Sequence, residues 1–239
     1  MSSVVGIDRK NRAFEGYVFC DIDGTLLQAR GAGSEAFGQA FAEAFGLLPD
    51  MSKVSFLGAT DLRIVEGLTR EYGLRFDPEK TRRFFDLLPK RLEAQMRRHP
   101  PRLFPGVVDF LERVFADWRL GVISGNVRET AMLKLRHAGI ERFFADVGGF
   151  GDDDGDRVRM AQLALERAGR PARAVLIGDT PSDIGAAKAN GMFSVGVSNG
   201  GYSVEELMES GADLAIVSFA EAEALFRRLE SPADRGRGR

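Results

Sequence analysis

The sequence of 239 residues is poor in cysteine and histidine and has no strong excess of either charge. Cys20 is the only cysteine, which excludes an intramolecular disulfide and fits a reducing compartment. The formal net charge of −2 provides no basic field that would favour nucleic acid. No apolar run approaches the roughly 18 residues that span a bilayer. We therefore expect a cytoplasmic protein whose partners include neither nucleic acid nor membrane.

The two ends of the chain lack the patterns of ordered elements. Residues 1–15 have no long apolar core of the kind found in a signal peptide, and the chain closes on the basic sequence RGRGR. We expect flexible termini over 1–15 and 231–239. No pattern in the sequence indicates an oligomeric state.

Short β-rich runs alternate with helical segments through most of the chain. The alternation predicts an α/β fold with a doubly wound, Rossmann-like parallel sheet and right-handed crossovers. One predicted helix follows Asn126 and stops at Gly139. The predicted strands cover 17–20, 120–123, 145–150, 174–177 and 193–197.

One region departs from this alternation and is helical throughout. Phe37, Phe41 and Phe45 recur at a spacing of four and form one apolar stripe. Pro89 is expected to break or kink the last helix of the region. The sequence HPPRLFPG at 99–106 has the composition of a linker. We predict a helical domain over 28–102, inserted into a core formed by 16–27 and 103–230.

Polar side chains follow three of the predicted strands at the point where each strand ends. Because the carboxyl ends of parallel strands meet at one edge, these side chains should lie together. Four carboxylates at one edge repel one another unless a cation is present, and oxygen ligands without histidine or cysteine favour Mg²⁺. Such a cation would attract a phosphate. The residues are Asp21, Asp23, Ser124, Gly125, Asn126, Asp179 and Asp183.

The same segments resemble the sequence motifs of a known family, the haloacid dehalogenase superfamily of phosphatases. DIDGTL, VISGN and IGDTPSD are similar to its first, second and fourth motifs and occur in the same order. The flanking segments LFPGVVDFLERV and VGVSNGGYSVEELMESGADLAI are similar to the phosphoglycolate-phosphatase-like branch. The resemblance covers about 17–229 and implies a small helical cap at 28–102.

The resemblance also implies roles for the carboxylates. Asp21 corresponds to the nucleophile that forms an aspartyl-phosphate, and Asp23 to the general acid and base. Mg²⁺ would bind the carboxylates of Asp21 and Asp179 and the backbone carbonyl of Asp23. Asp183 would hold the waters of the metal or a neighbouring loop.

The phosphate site implied by the resemblance lies at the second motif. Ser124 and the amides of Gly125 and Asn126 would hold the phosphoryl oxygens, as helix N-termini favour anions. Thr25 is grouped with these residues and would orient the first loop.

The third motif of the family usually supplies a lysine, and this chain has none at that point. Arg157 or Arg159 must provide the positive charge instead. We favour Arg157 as the catalytic cation because it follows the preceding loop directly.

Together these features predict an Mg²⁺-dependent hydrolase of small phosphorylated metabolites that works through an aspartyl-phosphate. A phosphomutase resembling β-phosphoglucomutase would use the same aspartates and is the first alternative. A binding domain of the same fold without catalysis is the second. The substrate is not determined by the motifs, and the sequence FLGATDLR at 56–63 is a candidate segment for specificity.

Overall fold

A computed structural model describes residues 14–29 and 31–230 of the chain. Most of the two termini predicted to be flexible, 1–13 and 231–239, therefore lies outside the described residues. The strands in chain order are β1 (Tyr17–Cys20), β2 (Leu27–Gln28), β3 (Arg102–Leu103), β4 (Arg119–Ser124), β5 (Phe144–Phe150), β6 (Ala174–Gly178), β7 (Phe193–Val197) and β8 (Leu214–Ile216).

Helices separate nearly all of these strands. They are α1 (Ala32–Phe45), α2 (Asp61–Glu71), α3 (Pro78–Arg98), α4 (Val107–Phe115), α5 (Arg128–His137), α6 (Arg157–Arg167), α7 (Pro181–Ala189), α8 (Val204–Glu209) and α9 (Glu223–Glu230). Short 3₁₀ helices occupy Met51–Lys53, Glu141–Phe143 and Phe219–Glu221. Among residues 14–29 and 31–230, none of the helices has both the length and the apolar character needed to cross a membrane.

Six of the strands form one parallel sheet in the order β5, β4, β1, β6, β7, β8. Side chains alternate across β1: Val18 and Cys20 pack with α4, α5 and α9, whereas Tyr17 and Phe19 pack with α6 and α7. Apolar strands covered on both faces are typical of a doubly wound α/β fold. The predicted fold class is confirmed.

The helices α1, α2 and α3 lie between β2 and β3, two short strands that pair antiparallel. These helices bury an apolar cluster that also includes Val127 and Leu133, and in which Phe37, Phe41 and Phe84 are fully or almost fully enclosed. The rings of Phe37 and Phe84 lie 4.6 Å apart between centroids, so α1 and α3 pack directly on each other. The phenylalanine stripe predicted on α1 is therefore its buried face.

Pro89 was expected to break or kink the last helix of this region, and it does not break it, because α3 continues through it from Pro78 to Arg98. A proline inside a helix removes one hydrogen bond and costs about 3 kcal/mol. Phe84 and Leu88 precede the proline, and Leu92 and Met96 follow it at the same four-residue spacing, all buried. Burying these four side chains on one face offsets the lost bond, since each contributes about 1.5–3 kcal/mol.

Three strands were missing from the sequence-based prediction. β2 and β3 have two residues each and β8 has three, which is too short for a periodic pattern to be recognised. The five predicted strands are all present, and the helix predicted from 126 to 139 is α5, which is shorter by two residues at each end.

Candidate active site

The carboxyl ends of β1, β4 and β6 meet at one edge of the sheet and open into a cavity of about 420 Å³. The insertion α1–α3 covers the opposite side of this cavity. Parallel α/β sheets bind their ligands at this edge. The structure brings most of the predicted site residues into the cavity wall, namely Asp21, Asp23, Ser124, Gly125, Asn126, Arg157 and Asp179.

Arg157 is buried and links two of the carboxylates. Its Nη2 lies 2.6 Å from Oδ1 of Asp21, and its Nε lies 2.7 Å from Oδ1 of Asp183. Nη2 also donates a hydrogen bond to the carbonyl of Ile123. Arg159 is exposed and donates to Gln162 instead. Of the two arginines considered from the sequence, only Arg157 is within reach of the aspartates.

Burial raises the pKa of Asp21 to about 6, although the neighbouring Arg157 acts in the opposite direction. Burial by itself opposes the charge on Arg157, but Asp183 and Asp21 outweigh it and hold the pKa of the guanidinium above its usual range. Arg157 is therefore a permanent positive charge at the base of the cavity. With a pKa of about 6, most of the Asp21 carboxylate is ionised near neutral pH, and Arg157 favours that ionised form.

Asp179 follows β6 and is almost fully buried. Its Oδ1 accepts a hydrogen bond of 2.9 Å from the hydroxyl of Thr25, whereas its buried Oδ2 accepts none from the described residues. The backbone at Gly24 and Gly200 lies next to this oxygen. A Cβ added to Gly24 would lie 2.3 Å from it, and a Cβ added to Gly200 would lie 1.8 Å from it. Burial and the nearby Asp21 raise the pKa of Asp179 to about 8.

Asp21, Asp179 and Asp183 could together hold a cation. One carboxylate oxygen from each lies within 4.8 Å of the other two, and all three residues are buried. The unpartnered Oδ2 of Asp179 is an oxygen that a cation would satisfy. An all-carboxylate donor set suits a hard cation such as Mg²⁺ better than zinc.

Asp23 lies at the cavity wall, where a network missing from the sequence analysis holds its carboxylate. Its Oδ2 accepts hydrogen bonds from Nδ2 of Asn126 at 2.7 Å and from Nζ of Lys134 at 2.5 Å. Lys134 also donates to Oδ1 of Asn126 at 2.6 Å, and Nδ2 of Asn126 donates to Oγ of Ser124 at 2.8 Å. The lysine is buried and belongs to α5, the helix that begins just after the second motif.

A sequence signal for Lys134 did exist. Thr130 and Lys134 are four residues apart on one face of α5, and Asn126 precedes Thr130 at the same spacing. That face begins at the end of the second motif, and Thr130 also lines the cavity. A polar stripe extending from a motif loop into the following helix indicates further site residues.

The insertion also contributes a polar residue to the site, Asp61, from the candidate specificity segment 56–63, five residues of which line the cavity. The amide of Asp61 at the start of α2 donates to the carbonyl of Gly125, and Oδ2 of Asp61 accepts from the amide of Val127 at 2.9 Å. Burial raises the pKa of Asp61 to about 6. Gly125 is required here, because a Cβ would lie 2.1 Å from the carbonyl oxygen of Ala59.

Two of the predicted site residues are buried behind the cavity wall. Thr25, grouped with the phosphate site from the sequence, has its hydroxyl committed to Asp179. Oδ2 of Asp183 accepts from the amide and the hydroxyl of Thr180, which closes a capping box at the start of α7. Both residues therefore contact other site residues and lie outside the cavity wall that a substrate would touch.

Comparison with known proteins identifies the family of this chain. The sequence model of the haloacid dehalogenase-like hydrolases matches residues 18–197. The chain belongs to this family. The match contains all the site residues predicted from the sequence, from Asp21 to Asp183, and confirms the family expected from the three motifs.

Curated relatives of this protein belong to the branch of the family expected from the sequence. The phosphoglycolate phosphatase of Agrobacterium fabrum is 29% identical over 221 residues, covering 88% of this chain and 92% of that protein. The phosphoglycolate phosphatase of Synechococcus elongatus is 25% identical over 201 residues, covering 82% and 90%. These similarities confirm a hydrolase of the phosphoglycolate-phosphatase-like branch and support the expected phosphatase class.

Solved structures agree on the fold. CbbY from Rhodobacter sphaeroides, in complex with phosphate, superimposes with a TM-score of 0.69 at 23% identity, covering 88% of this chain and 97% of CbbY. At this level of identity the similarity establishes the fold of this protein and does not establish its activity.

Proposed function

We propose that the protein is an Mg²⁺-dependent phosphatase that hydrolyses a small phosphomonoester through an acyl phosphate on Asp21, the aspartyl-phosphate. The observation that carries this proposal is the meeting of Asp21, Asp23 and Asp179 at one cavity, with Arg157 paired to the first. The family and its phosphatase relatives support the reaction class.

In the first step the carboxylate of Asp21 attacks phosphorus, and the bond from phosphorus to the alcohol oxygen breaks. Asp23 gives its proton to that oxygen, so the alcohol leaves neutral. In the second step Asp23 takes a proton from a water molecule, which attacks the phosphorus of the aspartyl-phosphate. Inorganic phosphate departs and the carboxylate of Asp21 is restored.

The other residues orient these groups. Lys134 and Asn126 would hold the carboxylate of Asp23 toward the cavity, and Ser124 with the amides of Gly125 and Asn126 would bind the phosphoryl oxygens. Arg157 would balance the charge that Asp21 and the phosphate share. Thr25 would orient Asp179 through the hydrogen bond between them, a role that differs from direct phosphate binding.

Mg²⁺ would be held by the carboxylates of Asp21 and Asp179 and by the backbone carbonyl of Asp23, with Asp183 nearby. When bound, the cation would neutralise the carboxylates and polarise the phosphoryl oxygens. Two observations support this assignment. Oδ2 of Asp179 is buried without a partner among the described residues, and Gly24 and Gly200 lack the Cβ atoms that would otherwise crowd this oxygen.

We further propose that residues 28–102 are a cap that closes over the substrate and that 16–27 and 103–230 are the catalytic core. The hydrogen bonds between Asp61 and the loop at Gly125 and Val127 support a closed arrangement. In this arrangement the apolar wall of the cap faces the phosphate site and excludes water from the reaction.

Asn substitutions at the two catalytic aspartates test the mechanism. Asp21→Asn should form no covalent intermediate. Asp23→Asn should still react with p-nitrophenyl phosphate, whose leaving group needs little protonation, but should then stall at the aspartyl-phosphate. Quenched-flow kinetics should show a burst of up to one equivalent of nitrophenol and a steady state slower by about 10²–10⁴-fold.

Alkyl phosphates give the matched control, because their leaving group must be protonated and Asp23→Asn should show no burst with them. Mass spectrometry should find the phosphoryl group on Asp21, and its presence on any other residue would refute the mechanism. Steady release of inorganic phosphate by the wild-type enzyme distinguishes a hydrolase from the phosphomutase alternative. A mutase would return the phosphoryl group to a second hydroxyl.

A further inference from the structure

The wall of the cavity opposite the carboxylates is apolar. Phe37, Leu88 and Leu92 present almost fully buried side chains to it, and Ile64 adds another from α2. Phe56 stands at this wall with 37% of its surface exposed, and its ring packs edge-on against Phe37 at 5.6 Å. A leaving group bound to phosphorus in this cavity would therefore be surrounded by aliphatic and aromatic carbon.

The charges of the residues that line the cavity also favour an uncharged leaving group. Among the described residues that line it, the cations are Lys134 and Arg157, and both are already paired with aspartates. The polar residues on the side of the insertion are Gln28, Ser34 and Asp61, and none of them is a cation. A leaving group with its own carboxylate would meet no unpaired described cation, and burying such a charge is costly.

We propose, on the basis of the phosphatase function above, that the substrate is the phosphomonoester of a neutral, largely apolar alcohol or phenol. The cavity of about 420 Å³ falls within the usual size range of small-molecule pockets, so an aryl or a branched or extended alkyl group can be enclosed. Gln28 and Ser34 can hydrogen-bond an occasional hydroxyl of that group. The enzyme thus differs in specificity from its relatives named phosphoglycolate phosphatases.

Isosteric substrates provide the test. Isobutyl phosphate has the shape of phosphoglycolate with two methyl groups in place of the carboxylate oxygens. With saturating Mg²⁺, kcat/KM for isobutyl phosphate should exceed that for phosphoglycolate by about 100-fold, the penalty of an unpaired buried carboxylate. In the series ethyl, butyl and hexyl phosphate, kcat/KM should rise by about threefold to fourfold for each methylene until the cavity is filled.

A pair of variants connects the preference to the apolar wall. Phe56→Lys should lower kcat/KM for hexyl phosphate and raise the ratio of phosphoglycolate to isobutyl phosphate by about 10-fold or more. Phe76→Lys is the matched control, because Phe76 is also in the insertion and 45% exposed but lies outside the cavity wall. It should leave both substrates unchanged.

The possible outcomes separate the two proposals. Mg²⁺-dependent turnover with phosphoglycolate preferred would overturn the apolar specificity and leave the phosphatase function intact. Equal effects of the substitutions at Phe56 and Phe76 would also overturn the specificity. Failure to hydrolyse any phosphomonoester would refute the proposed function itself.

Discussion

The ammonium group of Lys134 lies 2.5 Å from Oδ2 of Asp23, and Asn126 hydrogen-bonds both groups. The lysine is buried, whereas 40% of the aspartate side chain is exposed to the cavity. The carboxylate of Asp23, the proposed general acid, is thus positioned by Lys134, which lies on the helix that follows the proposed phosphate-binding loop.

Lys134→Met should therefore impair the steps that depend on Asp23. We expect kcat for alkyl phosphates to fall by about 10–100-fold, since hydrogen bonds to charged groups are worth about 1.5–3 kcal/mol. The rate of the burst with p-nitrophenyl phosphate should change little, because its leaving group needs little protonation. Lys188→Met, which removes an exposed ion pair with Asp213, is the control and should change neither rate. Equal losses on both substrates would show that Lys134 acts on something other than Asp23.

Arg157→Ala should damage both stability and activity. The substitution leaves Asp21 and Asp183 buried without their counter-charge, which typically costs about 3–5 kcal/mol of the free energy of unfolding. Arg157→Lys keeps the charge but cannot bridge two carboxylates as a guanidinium does, so its losses should be intermediate. Arg159→Ala should change the free energy of unfolding by less than about 0.5 kcal/mol. Urea unfolding and kcat/KM, measured in parallel, check this order, and a larger loss at Arg159 would contradict it.

Without a divalent cation, stability should fall as the pH rises. The pKa of Asp179 is raised from 3.8 to about 8, so between these values the folded protein holds a proton that the unfolded chain has lost. The free energy of unfolding therefore decreases with rising pH across this window. In EDTA the melting temperature should drop from pH 5 to pH 8, and Asp179→Asn should flatten that slope.

Addition of Mg²⁺ should counter this loss, and its effect should grow with pH because the cation competes with the proton on Asp179. Wild-type protein at pH 8 should gain the most in melting temperature, and Asp179→Asn should gain much less. An equal gain in the two proteins would remove Asp179 from the metal site. This measurement is independent of enzymatic activity.

The contact of Asp61 with Val127 should control closure of the proposed cap. Asp61→Ala leaves the amide of Val127 without its acceptor in the closed arrangement, at a cost of about 1–3 kcal/mol. We expect kcat/KM to fall by about 10-fold and amide hydrogen exchange at Val127 to become faster. Asp77→Ala, which removes the cap of α3, should lower stability by about 1 kcal/mol and leave kcat/KM unchanged. Unaltered kcat/KM in Asp61→Ala would show that this contact is not needed for turnover.

The parts of the site that could be predicted from sequence are those at strand ends. Apolar runs locate the strands. Parallel pairing of β1 with β6 then brings Asp21 and Asp179 together at the carboxyl ends of these strands, independently of how the helices pack. Lys134 was missed because it lies on a helix, where the packing of one element on another decides which side chain reaches the cavity. Arg157 is also on a helix and was predicted only because it directly follows a loop, and Asp61 was included only within the segment 56–63. Pro89 does not end its helix, because burial of the helix face around it outweighs the local preference of proline.

The formal charges of the site also determine the order in which its ligands can bind. Four carboxylates, those of Asp21, Asp23, Asp179 and Asp183, face two cations, Arg157 and Lys134, within a mostly buried volume. A phosphate dianion that arrived first would meet a net negative site and be repelled. Kinetics should therefore follow a compulsory sequence with the divalent cation first, and binding of inorganic phosphate, measured by calorimetry, should vanish when that cation is withheld.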